Sequence, residues 1–393
     1  MHWVLFYKRL VSLGGAEVLL GQHYAWLKAK GHDVTVICFE HAGLERIAIE
    51  PEDIAVVPGH AAFSRICALT RLLRQQSDAI AVCHSGYIEF GIAALLTGLR
   101  YSVFVHQPTT MSFNESDKFS ARFWTRYQRF ARHDAMYDRL CAQRAGFSSL
   151  HRAYVEARSW LSQFVLHRAR ALFVLSQYAV REKFEIFGLR ATCLAGAIAT
   201  GRLPHLLAKS ELRPEGESIE LVSVSRIDEN KRIEVLIAAV AELRARGKSV
   251  RLRLGGKGPA TKDLMAFAEK MGVSECIEFL GFVPEEDVPA LYAGMDLFVT
   301  IDWADYRITA YEVLAENRRV IVSDDTDADP ELLASGYLFT SPADAVALAD
   351  TILRALGTPV IWDRLRLKQY LMNFTWPAYF ENIGRVVEET HAA

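Results

Sequence analysis

Two cations stand five residues apart in "LVSVSRIDENKRIEVLIAAV", Arg226 and Lys231, where an apolar run gives way to a helical pattern. A forked guanidinium contact and a lysine point charge can hold a diphosphate together. A lysine at a helix N-terminus opposes the macrodipole, and an anion between the two cations would supply a reason for it. The plain structural alternative is a surface pair with Asp228 or Glu229. A second anion seat is "SLGGAEVLL", where Gly14 and Gly15 let backbone approach a ligand and the next helix aims its N–H groups at the same spot. Its spacing is not Gly-x-Gly-x-x-Gly, which disfavours a nicotinamide dinucleotide, and a tight turn alone would also explain the glycines. "LRLGGKGP", with Gly256 and Gly258, is another glycine-rich bend suited to close passage of a flat or charged ligand.

Carboxylates crowd "IDWADYRITAYEVLAENRRVIVSDDTDADPE". Glu312 falls early in a helix, where the dipole is an adequate reason for an acid. Accepting two ribose hydroxyls is the functional alternative. The acids after the strand, Asp324 to Glu331, are expected to be mostly solvated loop. His84 ends "AIAVCHS" and His106 ends "YSVFVHQ". Carboxyl ends of parallel strands are where ligands bind, although a rim histidine bonded to backbone would look the same.

These residues need elements to place them. "HWVLFYK", "HDVTVICF", "AIAVCHS", "YSVFVHQ" and "ALFVLS" read as buried parallel strands, with helical patterns between them. Around residue 196 the rhythm loosens into a Gly- and Pro-containing linker. It then restarts with "IELVSVSR", "VRLRLGG", "CIEFLGF", "LFVTI" and "RVIVSD". The expected fold is α/β: two Rossmann-like, doubly wound domains facing a central cleft, over 1–200 and 201–372. In 114–140, Lys118, Arg122, Arg126, Arg129 and Arg132 share one helical face, and Phe119, Phe123, Tyr127 and Phe130 a neighbouring one. That stretch is either an interfacial helix meeting anionic lipid or an aromatic face packed on the first domain.

Composition bounds the rest. Of 393 residues, 51% are hydrophobic and 23% charged, as in a soluble globular protein of more than one domain. Six scattered cysteines show no metal spacing and fit a reduced, cytoplasmic setting. The N-terminus reads as a first strand and not a signal peptide, and no run approaches the roughly 18 apolar residues of a membrane span. Residues 1–200 carry 23 Lys and Arg against 16 Asp and Glu, and the remainder 22 against 31. A basic front half suits an anionic acceptor or membrane surface, or is only uneven solvated surface.

Taken together the motifs resemble a retaining glycosyltransferase of the GT-B fold, in the large family 4 of nucleotide-sugar enzymes. "GGAEVLLGQHYAWLKAKGHDVTVI", "LVSVSRIDENKRIEVLIAAVAEL", "GGKGP", "FLGFVPEEDVPALYAGMDLFV", "YEVLAENRRVIVSDDTDADPELL" and "FTWPAYFENIGRVVEE" carry that resemblance over nearly the whole chain. The last is similar to the helix over 373–393 that crosses back to the first domain. By resemblance, Arg226 and Lys231 bind the donor diphosphate, with Gly14, Gly15, Gly256 and Gly258 beside it. Glu312 holds the ribose, His106 lies near the transferred sugar, and Asp305, Arg307 and Ile308 line the donor site. The family places a glutamate eight positions before the second one, where this chain has Ala304, with Asp305 one residue off that register. Arg307 stands where glycine is usual.

The implied activity is metal-independent, retaining transfer of a hexose from a nucleoside diphosphate sugar to a saccharide or lipid-linked acceptor. Neither cofactor nor nucleic acid is expected. Cell-surface polysaccharide synthesis is the implied setting, cytoplasmic or peripheral on the inner membrane face through 114–140. "DYRITAYE" resembles mannosyltransferase-like members, pointing to GDP-mannose. A nucleotide-sugar-binding subunit without catalysis is the alternative, favoured by Ala304. An epimerase would need a denser set of acids around the sugar.

Overall fold

The computed structural model describes residues 1–11, 15–42, 47, 49–111, 116–130, 135–194, 198, 203–207, 218–303, 308–325 and 328–392. Gly14, Ala304, Asp305 and Arg307 lie outside them. The chain divides into two compact units, Met1–Ala195 with Pro377–Ala393, and Gly196–Trp376.

In the first unit the apolar runs form a parallel sheet of seven strands. They are β1 (His2–Phe6), β2 (Asp33–Cys38), β3 (Ile54–Val56), β4 (Ile80–Cys83), β5 (Tyr101–Val105), β6 (Leu172–Val174) and β7 (Thr192–Cys193). Their order is β3-β2-β1-β4-β5-β6-β7. β1 is central, with Trp3 opposite Val34 on one side and Ile80 on the other. Residues 3 to 6 are fully buried, as expected of a strand covered on both faces. The edge strands β3 and β7 are short, and no periodic run in the sequence marked them.

Helices α1 (Gly15–Ala29), α2 (Tyr87–Thr97), α3 (Ala121–Phe130), α4 (Ser149–Leu166) and α5 (Gln177–Phe187) belong to this unit. Ser148 caps α4 and Ser176 caps α5, each side chain accepting the N–H three residues on. α3 decides between the two readings of its stretch. Its aromatic stripe, Phe123 and Tyr127 with Phe119 just ahead, is buried in the core, while Arg122, Arg126 and Arg129 are exposed. Once packed, those rings cannot enter a membrane, so an apolar interfacial face does not lie there. Arg132 is outside the described residues.

The second unit repeats the plan with β8 (Ile219–Val224), β9 (Val250–Gly255), β10 (Ile277–Gly281), β11 (Leu297–Thr300), β12 (Arg319–Ser323) and β13 (Leu338–Ser341). Their order, β10-β9-β8-β11-β12-β13, reverses direction at β8. Reversal of this kind opens a crevice at the carboxyl ends of the strands. Helices α6 (Ile233–Ala245) and α7 (Ile308–Ala315) follow β8 and β11.

The final helix, α8 (Trp376–Ala392), ends in the first unit. Phe380 stacks on His23 at 5.0 Å between centroids and 12° between planes, and lies 5.9 Å from Trp26. Tyr379, Phe380, Ile383 and Val387 are buried. Truncating such a ring removes buried area and leaves a cavity, together about 3 to 5 kcal/mol. Phe380→Ala should therefore lower first-unit stability by that much in denaturant unfolding. An unchanged midpoint would mean the helix is not held by this ring.

Candidate functional site

β8 hands over to Ser225, Arg226, Ile227 and Asp228, then to a single 3-10 turn (Glu229–Lys231), then to α6. This segment is held by the turn after β9. Ser225 N donates to Gly255 O at 3.0 Å and Ile227 N to Lys257 O at 3.1 Å. A Cβ on Gly256, whose φ is +132°, would lie 1.8 Å from Ser225 O. One on Gly258 would lie 1.9 Å from Ile227 O. Neighbouring backbone therefore accounts for both glycines, where the sequence had suggested a passing ligand.

The seam leaves Arg226 projecting outward, with its side chain 75% exposed. Its Nε lies 2.5 Å from Asp228 Oδ2, but at an angle too poor for a hydrogen bond. Both Asp228 carboxylate oxygens are buried without a hydrogen-bond partner. The surface pair foreseen with Asp228 is thus a close ionic contact that leaves most of the guanidinium in solvent.

Lys231 closes the 3-10 turn two residues ahead of α6. Its Nζ donates to Asp302 Oδ2 at 3.0 Å, and Thr300 Oγ1 donates to Asp302 Oδ1 at 3.0 Å. Asp302 is buried, so this acid from the crowded stretch faces Lys231. A second ion pair lies beside it. Arg232, at a left-handed φ of +48°, donates from Nη1 to Asp325 Oδ2 at 2.5 Å and covers the Trp303 ring at 4.6 Å. Ser323 Oγ donates to the same Asp325 oxygen at 2.8 Å. The expectation that acids after the strand are solvated fails at Asp325, which is buried and paired. It fails at Asp329 too, which caps a short helix by accepting from Glu331 N at 2.8 Å and also accepts from Tyr370 Oη at 2.7 Å.

Ile308 is the first residue of α7 and Glu312 lies in its second turn, both half-buried. Beside Glu312, the Tyr311 ring lies tilted against Phe374, 4.7 Å between centroids.

In the first unit Gly15 opens α1, and a Cβ there would meet nothing within 4 Å. Tyr7 Oη donates to Glu17 Oε1 at 2.8 Å in the first turn of that helix. His106 follows β5 and His84 follows β4. The two rings stack at 5.8 Å and both lie nearly parallel to Phe104. His106 hydrogen-bonds the His84 backbone, and burial pushes it down to about 4. Its Nε2 is shut off from solvent and unpaired. His84 Nε2 meets His23 Nδ1 at 3.1 Å. Burial drives His23 to about 3, and burial together with the other two rings holds His84 well below the usual range.

The loop after His106 is clamped from α5, a feature no motif had pointed to. Glu182 accepts from Thr109 N at 3.0 Å and Thr110 N at 2.6 Å. Lys183 Nζ lies 2.9 Å from Glu182 and donates to Thr109 Oγ1 at 2.8 Å. Both charges are buried. Adjacent unlike charges in a helical pattern read as solvated surface, so their pairing inward left no sign in the sequence.

Two parallel Rossmann-like sheets, with the last helix returned to the first unit, make the GT-B architecture. The "Glycosyl transferase 4-like domain" model matches residues 14–193, and the "Glycosyl transferases group 1" model matches 218–358. The chain belongs to this glycosyltransferase family. It is similar to the GDP-mannose-dependent alpha-(1-6)-phosphatidylinositol monomannoside mannosyltransferase of Mycolicibacterium smegmatis, 35% identical over 21% of this chain and 22% of that one. Matches to other curated relatives span 22% and 37% of their lengths. Among solved structures, the lipopolysaccharide outer core galactosyltransferase WaaB superposes with a TM-score of 0.70 at 12% identity, covering 99% of each chain. Anabaena HepE in complex with UDP and glucose gives 0.68 at 15%, covering 98% of this chain and 99% of that one. Among the described residues no helix is long and apolar enough to cross a membrane.

Two tests follow from the geometry. Gly258→Ala forces a Cβ into the Ile227 carbonyl, so the seam must open, at a cost of about 1 to 3 kcal/mol. A melting temperature equal to the parent's would show that the seam is not close-packed. The histidines give a pH dependence. An unfolded histidine titrates near 6.5, and these titrate lower in the fold, so the unfolded chain binds more protons between those values. Their contribution is complete above about pH 6.5 and is lost as pH falls toward 4, on the order of 2 kcal/mol per ring by pH 5. His23→Leu should flatten the loss of unfolding free energy between pH 7 and 5. Parallel curves for variant and parent would exclude these rings as its source.

Proposed function

We propose that the protein transfers a sugar, with retention, from a nucleoside diphosphate sugar to a saccharide or lipid-linked acceptor. One observation carries the reading. An exposed guanidinium, Arg226, and a largely shielded ammonium, Lys231, both emerge past the carboxyl end of β8, from a segment whose start is held main chain to main chain against the turn after β9. Departure of a nucleoside diphosphate develops negative charge, and preorganised cations lower the barrier by stabilising it. In this reading Arg226 forks onto the diphosphate and Lys231 shares its charge between Asp302 and the leaving group. Glu312 accepts from the ribose hydroxyls, and Ile308 lines the donor.

His106 is assigned to the transferred sugar. Its bond to the His84 backbone commits one ring N–H and leaves Nε2 as a lone-pair acceptor, which a sugar hydroxyl reaches only once the groups that shut it off from solvent move aside. The ring stays neutral at physiological pH, so it orients the sugar and does not donate a proton as an imidazolium. Gly15 leaves room above the first turn of α1 for a phosphate near that helix's N–H groups.

The mannosyltransferase relative uses GDP-mannose by name, and HepE is bound to UDP and glucose. Both donors suit the proposed diphosphate contacts, and mannose remains the proposed sugar. A thermal-shift panel of UDP-, GDP- and ADP-sugars identifies the base, because a ligand of the folded state raises the melting temperature by mass action. Arg226→Ala tests the catalytic role at a temperature where the variant is folded, since the side chain is exposed but its loss leaves the buried Asp228 carboxylate without its cation. Losing a charge-assisted contact should cut kcat/KM by about 10- to 100-fold. Turnover within twofold of the parent would remove Arg226 from the mechanism. Donor-dependent stabilisation without transfer by the parent would favour the non-catalytic nucleotide-sugar-binding subunit, the reading Ala304 supports.

A further inference from the structure

Among the described residues only Arg232 and Asn317 hold a left-handed backbone without being glycine, and Arg232 follows Lys231 directly. Asparagine visits that conformation readily. An arginine does so at a cost, which persists only where its surroundings fix it. Here they do. Nη1 of Arg232 donates to Asp325 Oδ2 at 2.5 Å, and the guanidinium lies over the Trp303 ring at 4.6 Å. All three side chains are largely buried. A planar, delocalised cation makes both contacts at once. Glycine at 232 would relieve the backbone and make neither. The reach of the side chain therefore accounts for an arginine where the backbone favours glycine.

What it reaches leads back to Lys231. Trp303 N donates to Asn230 O at 2.7 Å, in the turn that carries Lys231. The residue before Trp303 is Asp302, whose Oδ2 takes Lys231 Nζ at 3.0 Å. Ser323 Oγ lies 2.8 Å from the Asp325 carboxylate and 3.3 Å from the Asp302 carbonyl, within reach of either. The loops after β8, β11 and β12 thus close into one ring of contacts, and Arg232 joins the first to the other two. An ammonium on a four-carbon stem has many rotamers and is aimed only where something holds it. Asp302 holds this one, and Trp303 beside Arg232 holds Asp302. We infer that Arg232 is a positioning residue for Lys231: by gripping Trp303 and Asp325 it sets the Asp302 carboxylate that aims the Lys231 ammonium at a diphosphate. The inference rests on the proposed reading of Lys231 as a donor contact, and Arg232 itself touches no ligand.

The full chain is titrated calorimetrically with UDP, GDP and ADP, and the tightest of the three becomes the probe. Every variant is measured at a temperature where circular dichroism shows it folded. Lys231→Ala examines the underlying reading and should weaken binding by about tenfold. Arg232→Gly with Asp325→Asn removes both buried charges together and relaxes the backbone, and should weaken binding by about fivefold. Trp303→Leu, which leaves the ion pair in place, should weaken it by a similar factor, and it decides alone if the doubly changed protein does not fold. A general loosening of the fold would cost the same factor with or without Lys231. Positioning through Lys231 would not: in a Lys231→Ala background either change should cost less than about twofold. The inference is overturned, with Lys231 still a donor contact, if Lys231→Ala binds weakly while either change binds as the parent or more tightly. Losses that persist undiminished in the Lys231→Ala background overturn it as well. A Lys231→Ala protein that binds as the parent does, or a parent that binds none of the three, removes the donor reading of Lys231 and the inference with it.

Discussion

Arg226 can be offered to an anion because the backbone beneath it has no freedom to move. Parallel strands β8 and β9 deliver their turns side by side, and the two turns meet main chain to main chain. Contact at that range excludes a Cβ at 256 and at 258, so only glycine satisfies both positions. A long side chain on a mobile loop would spend most of its binding energy on being ordered. Here the ordering of the loop is done during folding, by hydrogen bonds that the strands themselves set up. The same seam fixes where the 3-10 turn begins, and hence where Lys231 and Arg232 emerge.

From that point the charges sort by solvent. Arg232 and Asp325 are buried together, and removing either would leave an unpaired charge in a poor solvent, which is costly. They therefore serve the fold, tying the start of α6 to the end of β12, with Trp303 beneath the guanidinium. Lys231 and Asp302 are an intermediate case, since the lysine keeps some exposure while the aspartate has little. An incoming diphosphate can compete for that ammonium without stripping a buried carboxylate of its bond to Thr300. Arg226 keeps most of its guanidinium in water, where an anion can reach it, while its contact offsets the charge of an Asp228 carboxylate whose oxygens are buried.

The strands were legible because buried parallel strands write themselves as unbroken apolar runs, and the central ones fall where those runs do. Short edge strands such as Ile54–Val56 and Thr192–Cys193 carry too few residues to show a pattern. Arg226 and Lys231 were legible from their place at a strand end. Their neighbours were not: Arg232 meets Asp325 across 93 positions, a distance over which spacing says nothing. At Gly256 and Gly258 the sequence shows that something must come close to the backbone but not what, and neighbouring main chain is enough to require both glycines. The aromatic helix 121–130 stood open between two readings, because it has an aromatic face and a basic one and periodicity cannot say which of them the sheet covers. Packing chose the phenylalanines of α3 for the core.

His106 shows how far the end of the chain reaches into one side chain's chemistry. The ring is fixed by the backbone of His84, whose own N–H donates to Phe6 O at 2.8 Å in the centre of the sheet. His84 shares a hydrogen bond with His23, and His23 is sandwiched by Phe380 from α8. One N–H of that histidine pair is left without an acceptor whichever way the shared proton points, yet a second proton on either ring would be worse. It would have to be carried in a dry layer with another imidazole 3.1 Å away. Burial therefore keeps the set neutral, and the bond to the His84 backbone fixes which nitrogen of His106 carries the lone pair. Any chemistry given to His106 must work through a neutral acceptor. In the proposed reading the charge stabilisation is therefore assigned to Arg226 and Lys231.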